Sequence, residues 1–306
     1  MSGIIDRLHS HLERSGAKGQ VVSVRRLQEL RHEVEDRQAG GLFDKTFYGE
    51  RLASCTFTPP DDFASAESLI IIASPSPQTR VSFTWNGRTI PLILPPTYVN
   101  HREVSEQQIL TDFLAPEGYH AAAARLPLKA LAVRSGLTAY GRNNVCYVPG
   151  MGSFVQLAAF YSDLPCQEDS WREAVMMDMC RDCRACQLKC PTGAISSDRF
   201  LLHAERCIVF HNERPGKYAF PAWLDLTSHD CLLGCMYCQR YCPVDKPFLD
   251  WFGWSVEFSE EETSLLLQGV PPDQLPAPTM EKLKRLELLD YLEMLPRNLR
   301  ASFATR

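Results

Sequence analysis

Nine of the twelve cysteines lie between Cys180 and Cys242, and only Cys55, Cys146 and Cys166 fall outside that stretch. A disulfide framework spreads its cysteines over a small secreted domain, whereas dense local clustering reads as a metal site. A chain of 306 residues is long enough for two domains, each with its own core. Its 45% hydrophobic and 23% charged residues exclude a disordered, collagen-like or fibrous polymer. A formal charge of −5 argues against a surface that grips nucleic acid through its phosphates, which requires a basic face.

The first run, Cys180-Arg-Asp-Cys183-Arg-Ala-Cys186-Gln-Leu-Lys-Cys190-Pro191, is C-x₂-C-x₂-C-x₃-C-P. This is the bacterial ferredoxin spacing, in which three closely spaced thiolates hold one [4Fe–4S] cube and the fourth ligates a second cube. Zinc is the competing reading, because C-x₂-C pairs also build tetrahedral zinc sites, but zinc has no use for the x₃-C-P extension. A second run, Cys235-Met-Tyr-Cys238-Gln-Arg-Tyr-Cys242-Pro243, lacks its first member at the usual spacing. The swap rule assigns Cys180, Cys183, Cys186 and Cys242 to one cluster. It assigns Cys190, Cys235, Cys238 and either Cys207 or Cys231 to the other.

Around this segment the chain has ordinary grammar. Residues 3–15, 25–38, 103–114 and 127–136 read as helices, 21–24 and 69–73 as strands, and the first half of 152–165 as a strand. Strands 81–85 and 89–94 flank Asn86-Gly87, a dipeptide favoured in tight hairpins. Ser259 and Glu262 have capping-box spacing, Gly269 ends that helix, and Leu283, Leu286, Leu289 and Leu292 predict one helix over 279–295. The expected architecture is α+β: an α/β domain over 1–168, a double-[4Fe–4S] domain of bacterial-ferredoxin type over 169–250, and short C-terminal helices over 251–306. The N-terminus has no apolar core or cleavage site, the twin-arginine pair Arg25-Arg26 precedes a charged helix, and no run approaches a membrane span. A cytoplasmic location is therefore expected, with no membrane partner.

The segments CxxCxxCxxxCPTGAI, HAERCIVF and GCMYCQRYCPVD resemble the epoxyqueuosine reductase family and, more distantly, the reductive dehalogenases. The resemblance extends upstream through LAVRSGLTAYGRNN (131–144) and GSFVQLAAFYSDLP (152–165), covering about residues 60–250. It implies a cobalamin-binding α/β domain joined to a two-cluster module, and it favours Cys207 as the eighth ligand. It also carries a departure. The family has an aspartate, proposed as proton donor, before the Gly-Leu helix, whereas no acidic residue lies here between Glu117 and Asp163. The helical-repeat tail that helps those enzymes bind tRNA is replaced by short leucine-rich helices. Together with the net charge, these departures point away from tRNA and towards a small-molecule substrate.

Tyr140, Gly141, Arg142, Asn143 and Asn144, followed by Tyr147, Gly152 and Ser153, concentrate glycines, amides and an arginine in one loop-rich segment. Glycines permit close backbone approach, and amides with Arg142 suit the polar groups of a corrinoid, although the same residues also build turns. Tyr140 and Tyr147 are the nearest proton-donor candidates, while Lys129 and Arg134 offer positive charge on the preceding helix. No HExxH, deaminase or dinucleotide-binding signature is present.

The leading expectation is an iron–sulfur oxidoreductase drawing on a low-potential donor such as a ferredoxin or flavodoxin, steered by Arg181, Arg184, Lys189, Arg206 and Arg240. The alternatives are a non-catalytic electron-transfer protein or corrinoid reductase serving another enzyme, and an iron–sulfur scaffold or sensor. Eight thiolates around two cluster cores would take the working charge from −5 to about −9.

Overall fold

The computed structural model describes residues 3–304. Its strands in chain order are β1 (Lys18–Ser23), β2 (Ser68–Pro75), β3 (Gln78–Trp85), β4 (Arg88–Leu94), β5 (Ala121–Ala123), β6 (Ala139–Tyr140), β7 (Cys146–Tyr147), β8 (Val155–Ser162) and β9 (Phe252–Phe258). The chain divides into two compact units, Met1–Pro75 with Arg102–Arg184, and Ser76–His101 with Ala185–Arg306. This division differs from the expectation of three consecutive segments. The hairpin β3–β4 belongs with the C-terminal elements, and the boundary inside the cysteine segment falls between Arg184 and Ala185. Among the described residues no helix is long and apolar enough to cross a membrane.

The first unit is built on an antiparallel sheet in the order β1-β2-β8-β5. Successive side chains of a strand face opposite ways, so the apolar run Leu69–Ala73 must be covered on both faces. Leu69, Ile71 and Ala73 pack with Val22, with Leu27 and Leu30 of the helix Leu27–Ala39, and with Leu131 of the helix Leu128–Arg134. Ile70 and Ile72 pack with Leu8 and Leu12 of the helix Ile4–Arg14, and with Ile109, Leu110 and Leu114 of the helix Glu106–Leu114. The result is a helix–sheet–helix sandwich. The segment 152–165, expected to be strand only in its first half, is strand from Val155 to Ser162 as β8, because it pairs with β2 over the full length of both strands.

The second unit holds a sheet in the order β4-β3-β9, with β4 antiparallel and β9 parallel to β3. Asn86 and Gly87 both take positive φ, 50° and 70°, as the tight hairpin turn requires. Their amides donate to the Glu260 carboxylate at 3.0 and 3.4 Å. The capping box at Ser259 and Glu262 forms, and Gly269 ends its helix in the left-handed region.

The helix expected over 279–295 is broken. One helix spans Ala277–Arg285, a single turn follows at Leu289–Tyr291, and another helix spans Leu295–Ala304. Leu286 and Leu288 are both fully buried, yet on one helix they would point to nearly opposite sides. Glu287 resolves the conflict by taking φ 53°, which turns both leucines into the core with Phe83, Phe258 and Leu299. Leu283→Ala, at a position with no exposed surface, should cost about 2–5 kcal/mol in a urea titration. A loss below about 1 kcal/mol would contradict this packing.

Candidate iron–sulfur site and its supports

In the first unit, β6 and β7 frame a tight turn containing the loop residues marked in the sequence. Gly141 donates to Val145 O at 2.8 Å, and Asn144, at φ 57°, donates to Gly141 O at 3.0 Å. The Asn143 side chain gives Nδ2 to the Tyr147 hydroxyl (3.0 Å) and accepts from the Val145 amide (3.2 Å). A Cβ on Gly141 would overlap Asn143 and the Tyr147 ring, so glycine is required here by the chain's own packing. Gly152, with φ 59°, accepts from the Val148 amide at 2.9 Å, and Ser153 is buried beside it. Tyr140 and Tyr147 are buried. Burial, and then Cys146, push the Tyr140 phenol far above its ordinary range, so it stays protonated.

This turn supports the first two cysteines. Tyr140 exchanges backbone bonds with Val175 and Met177 (2.9 Å each), and Met177 O accepts from the Cys180 amide at 2.9 Å. Arg142 donates to Cys183 O at 3.0 Å, to Arg181 O at 3.2 Å and, at close range, to Cys180 O. Its guanidinium is therefore committed to the backbone of the cysteine loop. Arg134, expected as a source of positive charge, is instead surrounded by Glu29, Glu33 and Glu173, with its guanidinium over Trp171.

The second unit carries Cys186, Cys190, Cys207, Cys235, Cys238 and Cys242. Cys186 is buried in the helix Ala185–Lys189, which packs against the helix Tyr237–Arg240 bearing Cys238. Cys207 precedes the helix Ile208–Asn212. At the end of that helix, the Asn212 side chain donates to Gly234 O (2.7 Å) and accepts from Gly234 N (3.1 Å), tying it to the residue before Cys235. Gly234 has φ 70°, and Pro95 and Tyr98 leave no room for a Cβ there. Burial, followed by Asp230, Cys238 and Cys207, pushes the Cys235 thiol up. Cys231 is also close to Cys235, is only 1% exposed, and is raised by burial and Asp230.

The strongest support was not legible in sequence. Arg297 donates to the carbonyls of His211 (3.0 Å), Asn212 (3.2 Å), Pro215 (3.4 Å) and Tyr218 (2.7 Å), with its guanidinium over Phe220. Burial and Arg214 lower Arg297 to about 10, so it remains charged at neutral pH. Asn298 adds bonds to Asn212 O (2.8 Å) and Leu232 O (3.1 Å). An arginine and an asparagine in a leucine-rich tail give no motif that would flag this role.

The donor chemistry suits iron–sulfur clusters: cysteine thiols outside any disulfide, on short turns whose backbone is held from outside. Among the described residues, no three His, Cys, Asp or Glu side chains converge on a point that would hold a single metal ion. Residues 179–245 match the family model of the 4Fe-4S double cluster binding domain. The protein is thus of the two-cluster iron–sulfur class, with a mixed helix-and-sheet fold.

More particularly, it is similar to the epoxyqueuosine reductases. It is 33% identical to that of Bacillus subtilis over 118 residues, which is 39% of this chain and 29% of the relative's length. In structure, epoxyqueuosine reductase from Bacillus subtilis superposes with a TM-score of 0.64 at 20% identity, covering 99% of this chain and 81% of that one. An epoxyqueuosine reductase in complex with an epoxyqueuosine-modified tRNA-Tyr stem loop superposes with a TM-score of 0.63 at 19% identity, over 99% and 80% of the two chains.

Asn212→Ala would leave both polar groups of Gly234 without their partners, at about 1–3 kcal/mol each. Chemical denaturation should show the loss, and iron analysis should show less than the wild-type content. His229 supplies a pH test. Burial, then Arg297, depresses it from 6.5 to about 4. The folded protein therefore binds fewer protons than the unfolded chain between those values, and stability falls as pH drops below 6.5 until it levels near 4. His229→Leu should flatten the decline in melting temperature over that window, and a decline identical to wild type would count against this origin.

Proposed function

We propose that this chain is an iron–sulfur oxidoreductase that takes electrons singly from a low-potential donor, holds them on two [4Fe–4S] clusters and passes them to a reducible substrate. The observation that carries this reading is the pair of cysteine runs inside the segment matching the double-cluster family model. The proposed ligands are Cys180, Cys183, Cys186 and Cys242 for one cluster, and Cys190, Cys207, Cys235 and Cys238 for the other, assigned by spacing and by the resemblance. When bound, the clusters supply one-electron redox chemistry. The chain's own residues hold the thiols: Arg142 fixes the carbonyls around Cys180 and Cys183, while Asn212 and Arg297 fix the segments following Cys207 and preceding Cys235.

Cobalamin is the further cofactor that the resemblance implies. The polar groups read as its ligands are already occupied: Arg142 by the cysteine loop, and Asn143 and Tyr147 by each other. These bonds favour a turn that supports the cysteine loop over a corrinoid-binding loop. For substrate, the relatives' name and the tRNA stem-loop complex support epoxyqueuosine in tRNA as the first compound to assay. The absence of an acidic residue between Glu117 and Asp163 favours the second reading, an electron-transfer protein serving another reductase.

Anaerobically purified protein should contain about eight irons per chain. Cys207→Ala should lose one cluster, and Cys231→Ala should keep both; the reverse pattern would reassign the eighth ligand. Turnover of epoxyqueuosine-containing tRNA with chemical reductant would establish the reductase reading. Reduced clusters with no turnover, with or without added cob(II)alamin, would favour the electron-transfer reading.

A further inference from the structure

We propose that the face formed by Leu188, Lys189 and Tyr241 is the docking surface at which a small acidic one-electron carrier protein delivers electrons to the clusters. This inference rests on the reading of the cysteine segment as a two-cluster redox site.

Leu188 is 79% exposed, far more than any other large apolar residue among those described. It projects from the helix Ala185–Lys189, which buries Cys186. That helix packs against Tyr237–Arg240, and Tyr241, the next residue, is 44% exposed. The Lys189 ammonium lies 5.0 Å from the centroid of the Tyr241 ring, so the two helices present one continuous patch, apolar at its centre and cationic at its edge. Leu188 in water does nothing for the core, and it is as a patch shared with Tyr241 that this exposure marks an interaction surface.

Position and charge identify the occupant. Leu188 lies between Cys186 and Cys190, and Tyr241 directly precedes Cys242, so three proposed ligands are within two residues of the patch. Within residues 185–194 and 234–246 the charged side chains are Lys189, Arg240, Asp245 and Lys246. Asp245 is fully buried, Arg240 pairs with Asp230, and Lys189 and Lys246 are exposed. The exposed charge here is therefore positive on a chain whose formal charge is −5. A partner with a small apolar contact ringed by carboxylates is attracted to this face and repelled by the acidic remainder. Small, weak interfaces of this kind suit electron-transfer encounters, which must dissociate between deliveries. Each encounter oxidises the carrier by one electron and lowers one [4Fe–4S]²⁺ cluster to the 1+ state, so a two-electron substrate requires two encounters.

The test uses the full chain with both clusters, wild type against Leu188→Glu combined with Lys189→Glu, and Leu188→Ala as a milder variant. Stopped-flow bleaching is followed with a reduced acidic ferredoxin and, separately, with dithionite. The expected result is a wild-type rate with ferredoxin that falls as salt rises, slows at least tenfold in the double variant and falls less in Leu188→Ala, with iron content and dithionite rate unchanged. Ferredoxin reduction of both variants at the wild-type rate would overturn the docking surface. An iron content of the wild type well below about eight per chain would overturn the underlying two-cluster reading, and the docking proposal with it.

Discussion

An arginine whose guanidinium collects several backbone carbonyls is the interaction on which both cysteine-bearing segments depend. Turns that wrap a cluster lie outside any sheet and leave carbonyls without a secondary-structure partner. A guanidinium offers five N–H donors in a fixed fork and can satisfy several such carbonyls at once. Arg142 does this for Cys180, Arg181 and Cys183, and Arg297 does it for His211, Asn212, Pro215 and Tyr218. In both cases the arginine comes from an element outside the turn it holds. The turn is thereby referred to a packed core, to β6–β7 in one unit and to the helix Leu295–Ala304 in the other. The fixed positive charge is also of the sign that a cluster ringed by thiolates favours.

Much of the fold was legible because its signals are local. Leu69–Ala73, Asn86-Gly87 and Ser259 with Glu262 each state their structure within a few residues, and each forms. The leucine spacing over 283–292 misled because a repeat of three or four matches helical periodicity whether or not the chain continues as a helix. Only the burial of both Leu286 and Leu288 exposes the break at Glu287, and burial is a tertiary fact. The supports of the cysteine segment were invisible for the same reason. Arg297 lies 90 residues beyond Cys207, past the end of the helix expected over 279–295.

The segment 140–153 carries a related lesson. Glycines, amides and an arginine are the vocabulary of a ligand loop and equally of a tight turn that supports another loop. Gly141, Asn143, Asn144 and Tyr147 use their special properties on one another, and Arg142 uses its donors on the cysteine loop. A residue type shows what a side chain can bond to, and only geometry shows what it has bonded to.

The two-unit division explains how the cysteine segment holds together with so little core of its own. Parallel strands require a crossover connection between them. Here β9 lies parallel to β3, with β4, the first unit's Arg102–Arg184 and the run from Ala185 to Trp251 intervening. The cysteine-rich stretch of the second unit is the last part of that crossover. Midway along it Leu232 N bonds to Ile93 O of β4 at 3.0 Å, and it ends at β9, where Phe258 stacks on Phe83 at 5.0 Å between centroids. Leu232 and Phe258 pin it to the same apolar core at its middle and at its C-terminal end. Folding energy that a free-standing cluster domain must draw almost wholly from its metal ligation is here shared with Val81, Phe83, Leu266, Leu283 and Leu299. That is why the leucine-rich tail is part of the structure that positions the candidate cluster ligands.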